Sequence, residues 1–533
     1  MIPGRFASLC MLRYYGLFAI LLAIVSLLFS DQLSAIRRSG PTSREEDALS
    51  NTSGLVLPLR TLPATFLKDN ANSSLRVRAT RLLTSHRIPD VTAIVLNWSR
   101  LHNVIRIASL LCEPWLDDTV AEVLIWNNSP HKLSYETFMH ARCSKQKLKI
   151  YNSPENLYFQ ARFLACMQAS TPFCFVQDDD YIVLPEIIQT LRIRIEGSLQ
   201  TAIHLLPPHE HLSSRLRTTI TAGGIHTGFA WLGHGTMLPR HQALSFMSLL
   251  SHLNFSEPEI KMADNYFTIL SNQIPEIWFD QGIELGGGQP FTVGKEGDDR
   301  NRGHITNGCR YLEQVVTQIS DPLGSAALDF VKTSRNLDQW SITRAACFGT
   351  PCLLETNIRL LPDDVVLECD TAADMLALED RNMRLMGHDA IAHYIQHALS
   401  FAIDGDPSTA FGSRSNARQG DFILIDMLAM PGEEAWSEVA FLIPSENEPM
   451  LEQSIFESSQ DGRHWRSSSH PVVCGNTDLA VGGTLSECQG SLLIECSVQM
   501  PQNDTSFRVT LTTDMPMAWT VFEVWVRTVS NEL

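Results

Sequence analysis

Three consecutive aspartates, Asp178-Asp179-Asp180, follow the apolar run Phe173-Cys174-Phe175-Val176 and a single Gln177. Adjacent carboxylates repel one another, which costs free energy unless a cation neutralises them. On an extended backbone residues i and i+2 face the same side, so Asp178 and Asp180 are expected to reach one divalent ion, directly or through water. Oxygen ligands suit Mn²⁺ or Mg²⁺, whose charge would offset that of a departing diphosphate. An ordinary acidic loop is the competing reading, and the apolar strand before the triplet argues against it. A further aspartate, Asp264, lies between Lys261-Met262-Ala263 and Asn265-Tyr266-Phe267, where a helix could begin. An N-cap is therefore its structural alternative to a chemical role. His226 and His234 sit among glycines, where contact with an acceptor competes with plain turns. Gly286-Gly287-Gly288 lacks a following Gly-Lys-Ser or a strand-turn-helix pattern, so it reads as a loop and not as a phosphate-binding motif.

These residues need a frame that brings them together. Residues 91–96 read as a buried strand and 100–111 as a helix; residues 120–126 form a second strand ending at Asn127-Asn128. Residues 147–151 make a weaker third strand, 156–167 a helix, and 173–176 a fourth strand. Strands alternating with helices predict an α/β domain with a mostly parallel sheet. Ligands of such sheets bind at the carboxyl ends of the strands, which is where Asn127, Asn128 and the acidic run fall.

From Thr92 to about Val316 the chain resembles the catalytic domain of the exostosin-like glycosyltransferases, family 64, with a GT-A fold. The matching stretches are VLNWSR at 95–100, VLIWNNSP at 123–130, Asn156 to Arg162, CFVQDDDYIV at 174–183, GFAWLGHGTMLPR at 228–240, MADNYFTIL at 262–270 and HITNGCRYLEQVV at 304–316. The resemblance implies retaining transfer from a UDP-N-acetylhexosamine to a glycan or glycoprotein acceptor, with Mn²⁺ at the aspartates. It implies that Arg100, Asn128, Asn156 and Arg162 line the uridine and phosphate side. Asp178, Asp179 and Asp180 would take the nucleotide and metal side, with Asp178 and Asp180 on the metal. His304 falls in the closing segment, with diphosphate contact and a structural role as alternatives. Asp264 matches the second of two adjacent acids beside the reacting sugar and is the catalytic candidate. Ala263 stands where the first acid would be, which leaves the acceptor contacts open. A secretory lectin or scaffold that has lost activity is the alternative this departure favours. Asn97 and Asn127 begin sequons inside these core motifs and are expected to stay unglycosylated, so that the strand ends remain accessible to ligand.

Beyond residue 390 the pattern becomes short strands separated by turn residues, at 422–425, 439–443, 507–511 and 521–526, which predicts a β-sandwich or jelly roll. With the run Ala402 to Phe411, residues 421–426, 459–465 and the closing Phe522-Glu523-Val524-Trp525, this part resembles discoidin-like (coagulation factor 5/8 type C) domains. Those are galactose-binding-like sandwiches, and Arg414, Arg418 and Trp436 are their candidate sugar contacts here. Asp404, Asp406 and Thr409 are read as turn-formers, with a Ca²⁺ site as the alternative. The expected organisation is a cytoplasmic tail at 1–13, a transmembrane anchor at 14–30, a stem at 31–88, the transferase domain at 89–320, a helical connecting region at 321–390, and a separable sandwich at 391–533.

The anchor reading rests on Tyr14 to Ser30, an apolar run at the short end of what spans a bilayer, preceded by Arg5 and Arg13. A cleaved signal peptide is its rival, although no clean small-x-small site follows. The implied location is a Golgi or endoplasmic reticulum membrane, with the catalytic domain lumenal. Sequons at Asn51, Asn72, Asn254 and Asn503 fit that compartment. Eleven of the 12 cysteines follow the run, and Cys347/Cys352 and Cys474/Cys488/Cys496 are candidates for local disulfides. With an odd number, at least one thiol is free or intermolecular. The formal charge of -18, from 41 Lys+Arg and 59 Asp+Glu, excludes a nucleic-acid partner in the absence of a basic patch.

Overall fold

Seven residues, VTAIVLN, form the central strand β1 (Val91–Asn97), and all but one of them are buried. A strand covered on both faces needs such a continuous apolar run. The computed structural model describes residues 88–197, 202–286, 295–319, 329–336, 338–428, 436–476, 492–501 and 504–528. The expected tail, the anchor, nearly all of the stem, Cys488 and the sequons at Asn51, Asn72 and Asn503 lie outside them. Among the described residues no helix is long and apolar enough to cross a membrane.

The first half supplies β2 (Val120–Asn127), β3 (Leu148–Asn152), β4 (Phe173–Gln177), β5 (Tyr181–Ile182) and β6 (Ile203–Leu206). A ribbon of β7 (Thr218–Ile220) and β8 (His226–Gly228) follows, then β9 (Thr236–Pro239), β10 (Glu276–Phe279) and β11 (Ile283–Glu284). The helices that matter for the site are α1 (Leu101–Leu111), α2 (Gln160–Gln168), α3 (Pro208–Leu216), α4 (Asp264–Leu270) and α5 (Lys295–Ile319). In the sheet the order is β3-β2-β1-β4-β9-β6-β10. Strands β1 to β4 pair in parallel, and β9 runs antiparallel between β4 and β6. The chain steps from β1 outward to β2 and β3 and then returns to the other side of β1 as β4. That reversal makes the carboxyl ends of β1 and β4 the topological switch point, where ligands of open α/β sheets bind.

Two local expectations change. Helix α2 begins at Gln160 and not at Asn156, because Asn156 Oδ1 accepts the backbone N–H of Tyr158 at 2.9 Å and Tyr158 is left-handed at φ 48°. That side-chain turn competes with helix and delays it by four residues. Asp179 and Asp180 form a turn and not an extended run, because β5 pairs immediately afterwards with β11.

The region expected to be a helical connection also contributes two strands, β12 (Thr343–Ala346) and β13 (Cys352–Thr356), besides the helix α6 (Met375–Gln396). A Cys347–Cys352 disulfide joins the two strands. β12 lies parallel to β10, β13 is antiparallel to β12, and β13 pairs in turn with a strand of the C-terminal part. The C-terminal strands are β14 (Phe411–Asn416), β15 (Phe422–Met427), β16 (Trp436–Pro444), β17 (Ser454–Ser459) and β18 (Arg466–Ser467). They continue as β19 (Val473–Asn476), β20 (Leu493–Gln499), β21 (Ser506–Leu511), β22 (Ala518–Val521) and β23 (Glu523–Thr528). One sheet runs β13-β15-β21-β17-β18 and the other β19-β20-β16-β23. Alternate residues of β15, Ile423 and Ile425, meet Val439 and Phe441 of β16 and Val524 of β23 in a shared interior, as in a β-sandwich. The 521–526 strand is split, since Phe522 separates β22 from β23.

Among the described residues four disulfides form: Cys112–Cys143, Cys166–Cys174, Cys347–Cys352 and Cys474–Cys496. Cys309 and Cys369 are free thiols among the described residues.

Candidate functional site

At the switch point three parallel strands end on asparagines in register, Asn97, Asn127 and Asn152. Asn97 Nδ2 donates to Asn127 Oδ1 at 2.7 Å, and Asn127 Nδ2 donates to Asn152 Oδ1 at 2.8 Å. Asn97 and Asn127 are buried, so their sequons are closed by this ladder and not by a need to admit ligand. Asn128 is engaged as well: its Oδ1 accepts from Trp126 Nε1 and from the Leu157 backbone, and its Nδ2 donates to the Tyr158 carbonyl. Together with Asn156 it shapes the 156–159 loop beside the strand ends.

The turn after β4 sorts its three aspartates. Asp179 is buried and accepts from Arg100 Nη1 at 2.8 Å, and the same nitrogen reaches Asp180 Oδ2 at 3.1 Å. The side chains of Asp178 and Asp180 remain 29% and 44% exposed. Asp178 is fixed by its backbone N–H donating to the Gly233 carbonyl at 2.8 Å. The bare face of Gly233 makes room for it, since a Cβ there would lie 2.3 Å from Asp178 Oδ2.

Arg162, expected to line the phosphates, is instead only 2% exposed. Its Nη2 donates to both oxygens of Asp178 at 2.6 and 2.7 Å, and its Nη1 donates to Asp264 Oδ2 at 2.9 Å. It is a positioning residue that ties α2 to the turn and to α4. Asp264 opens α4 without capping it. The carboxylate, 1% exposed, faces Arg162 and also accepts from Asn265 Nδ2. Burial lifts Asp264 to a pKa of about 6 despite the Arg162 charge, with Asp178 adding to the rise. Burial likewise lifts Asp179 and Asp180, and the neighbouring Asp178 pushes both further up. His304 is half-buried on α5 with Nδ1 2.6 Å from the Tyr266 hydroxyl, a structural tie that leaves its diphosphate role without support in the contacts.

Burial is the main cause of these rises and repulsion from Asp178 adds to it; repulsion among neighbouring carboxylates is what a divalent cation relieves. Among the described residues no group of three or more His, Cys, Asp or Glu side chains is arranged around a metal position. The two solvent-open carboxylates, Asp178 and Asp180, nonetheless fit a Mg²⁺- or Mn²⁺-type ion, which takes one or two carboxylates and completes its shell with water and phosphate oxygens.

A second polar group adjoins the first, and sequence reasoning found only one member of it. His234 Nε2 lies 2.9 Å from Glu210 Oε2, and its ring meets that of Tyr181 edge-on at 4.9 Å between centroids. Burial opposes charging of His234, but pairing with Glu210 and the charges of Asp280 and Asp178 raise its pKa to about 9. Asp280 directly follows the buried strand β10, so the strand-end argument that singles out Asp178 would have found it. Glu210, on α3, carries no such signal. His226, the other candidate histidine, is buried with Nε2 2.8 Å from the Ser334 carbonyl, and its role is structural.

In the C-terminal part Asp404 and Asp406 serve their own loop: Asp404 Oδ1 accepts the Asp406 N–H, Asp404 Oδ2 the Thr409 hydroxyl, and Asp406 Oδ1 the Ser408 N–H. They are turn-formers, as expected. Arg418 pairs with Asp363, Arg414 is exposed, and the Trp436 side chain lies outside the described ones.

No protein-family model and no curated protein matches the chain. Among solved structures it is similar to a mannosyltransferase, PcManGT from Pyrobaculum calidifontis in complex with GDP-Man and Mn²⁺, at 11% identity and a TM-score of 0.28, covering 49% of this chain and 81% of that one. It is similar to TarS 1-349 of S. aureus in complex with UDP, at 14% identity and a TM-score of 0.26, covering 44% and 71%. The third similarity is to CpGH89CBM32-5 from Clostridium perfringens in complex with GalNAc-β-1,3-galactose, at 16% identity and a TM-score of 0.17, covering 25% and 82%. At these TM-scores the likenesses decide neither fold family nor activity.

Proposed function

We propose that the chain is a metal-dependent glycosyltransferase of the GT-A type, moving an N-acetylhexosamine from a UDP-sugar to a glycan acceptor with retention of configuration. The observation that carries this reading is the sorting of the acidic turn at the switch point: Asp179 goes inward to Arg100, while Asp178 and Asp180 stay open. Mn²⁺ or Mg²⁺ held by Asp178 and Asp180 would supply charge neutralisation for the diphosphate. Arg162 holds Asp178 in place, and Arg100 orients the turn. In a retaining transfer the acceptor hydroxyl arrives on the face the diphosphate leaves. An ionised Asp264, tied to the acidic turn through Arg162, would stabilise positive charge growing at the anomeric carbon. The family membership, the retaining outcome and the N-acetylhexosamine rest on the motif resemblance. The C-terminal sandwich is proposed as a glycan-facing module. The anchor at 14–30 and a lumenal location are proposed on the apolar run, with four disulfides in support.

The test is UDP titration with and without Mn²⁺. Asp178→Asn and Asp180→Asn should keep the fold and lose the metal-dependent part of UDP binding, each by ~10-fold or more, since each removes formal charge at the ion. Unchanged affinity and unchanged metal response in both variants would refute the site. The burial of Asp264, with Ala263 beside it, favours a second reading as a nucleotide-sugar-binding protein without turnover. Metal-dependent UDP binding without donor hydrolysis or transfer would select that reading.

A further inference from the structure

The end of α6 carries two histidines that the acidic turn does not use. His393 lies in the last turn of α6. His397 follows the helix, and its backbone N–H donates to the His393 carbonyl at 2.9 Å, so the two side chains stand one turn apart on one face. Their rings meet with 4.5 Å between centroids and a tilt of 39° between planes. Each ring also meets the chain where β14 begins: His393 Nε2 lies 3.1 Å from the Gly412 carbonyl oxygen, and His397 Nδ1 lies 3.3 Å from that of Ala410. A carbonyl only accepts, so these two nitrogens carry the protons. His393 Nδ1 and His397 Nε2 therefore keep their lone pairs, and among the described residues neither is hydrogen-bonded. The two nitrogens of an imidazole point to nearly opposite sides of the ring. With both N–H groups turned to residues 410–412, both lone pairs face away from them, and the half-buried rings leave them open to solvent.

A histidine that ligates a metal gives its other N–H to a carbonyl or carboxylate, which fixes the tautomer and the ring. Both rings are already held in that way. Bonds of about 2.1 Å from one Zn²⁺ to two ring nitrogens, at a near-tetrahedral angle, place the ring centroids about 5 Å apart. The 4.5 Å found here needs little adjustment. Burial lowers the pKa of His393, and the neighbouring His397 and Arg414 lower it further, which favours the neutral ring a metal requires. Arg414 also repels a cation, but it is exposed and its charge is screened by solvent. Tying the helix to Ala410 and Gly412 needs only two N–H donors, so the lone pairs are what a second role would use. We propose that His393 and His397 bind one divalent transition-metal ion of the Zn²⁺ class, with water completing its shell, and that the ion staples the end of α6 to the start of β14. Imidazole selects such ions over Mg²⁺, so the site is chemically distinct from the carboxylates Asp178 and Asp180. The assignment stands apart from the nucleotide-sugar reading.

The experiment is a calorimetric titration of the metal-stripped full chain with Zn²⁺, in excess Mg²⁺ to occupy the carboxylates of the acidic turn. His393→Gln and His397→Gln keep an amide donor for the two carbonyls and discard the ring lone pair. His388→Gln, at an exposed histidine on the same helix, is the control. The original chain and the control should bind one Zn²⁺ with equal affinity, and each of the two variants should lose ~10-fold or more in that affinity. Zn²⁺ should also raise the melting temperature of the original chain more than that of either variant. Unchanged Zn²⁺ affinity in both variants, an equal melting shift in all four proteins, or no Zn²⁺ uptake by the original chain would each overturn the site. The unaltered protein gives an arm that no folding defect can obscure. Zn²⁺ should shield His393 and His397 from carbethoxylation by diethyl pyrocarbonate while His388 continues to react. Equal labelling of His393 and His397 with and without Zn²⁺ would also overturn the assignment.

Discussion

Arg162 divides one buried guanidinium between Asp178, which remains open to solvent, and Asp264, which does not. The three side chains are therefore held together through one guanidinium. Asp264→Asn keeps a hydrogen-bond acceptor for Arg162 but removes the charge, leaving Asp178 as the only carboxylate on the guanidinium. Turnover should fall by ~100-fold or more, and Mn²⁺-dependent UDP affinity should fall with it, since Asp178 is drawn more tightly to Arg162. If ionised Asp264 is required for the proposed transfer, turnover by the original chain should rise with pH through about 6, and the variant should lack that limb. Unimpaired turnover in the variant would remove Asp264 from the mechanism. His234 gives a second pH signature, in stability. Its folded pKa of about 9 exceeds its ordinary 6.5, so its contribution is fully present below 6.5 and lost as pH rises through 9. In metal-free protein, His234→Gln should be less stable than the original by on the order of 2 kcal/mol at pH 6, with the difference fading above pH 9. A pH-independent gap in denaturant melts would mean the ring acts by packing alone.

Gly233 shows how a loop conditions the site from the element that carries it. Its carbonyl accepts the Asp178 N–H, and its missing Cβ leaves space for the Asp178 carboxylate. Gly233→Ala should displace the Asp178 carboxylate from Arg162, weaken Mn²⁺-dependent UDP binding by ~10-fold and lower the melting temperature, because the buried guanidinium loses that partner. Unchanged binding would show that Asp178 has slack. The strands β1, β2 and β4 were legible from sequence because each is a continuous apolar run between polar stops. The turn at Asp179 and Asp180 was not, because it depends on β5 finding β11 about a hundred residues later. The Arg162–Asp264 contact spans a similar separation, so the motif match nominated both residues without revealing that they hold each other. β12, with the sequence TRAA, carries no strand pattern of its own and becomes a strand because β10 and β13 offer their edges.

The same pairing rules decide where the molecule divides. A change of pattern near residue 390 marks a change of architecture, but the sheet continues through it: β13 bonds β15 over five residue pairs, from Cys352↔Met427 to Thr356↔Ile423. The core of the sandwich also takes Leu354, Ile358 and Leu360 from before that point, together with Met386 of α6. A fragment of residues 391–533 would expose the edge of β15 and the apolar surface those residues cover, and unpaired edges of this kind invite aggregation. The weakest seam lies earlier, between β10 and β12, which share a single register pair, Phe279↔Ala345. A fragment beginning at residue 338 retains β12, β13, their disulfide and α6. It should melt cooperatively with β-type circular dichroism, at a temperature below that of the full chain because Leu212, Leu216 and Phe279 no longer cover its core. The 391–533 fragment should show no cooperative transition. Cooperative melting of 391–533, at a temperature matching the longer fragment, would place the division at 390 and reduce the β13–β15 pairing to a contact between independent domains.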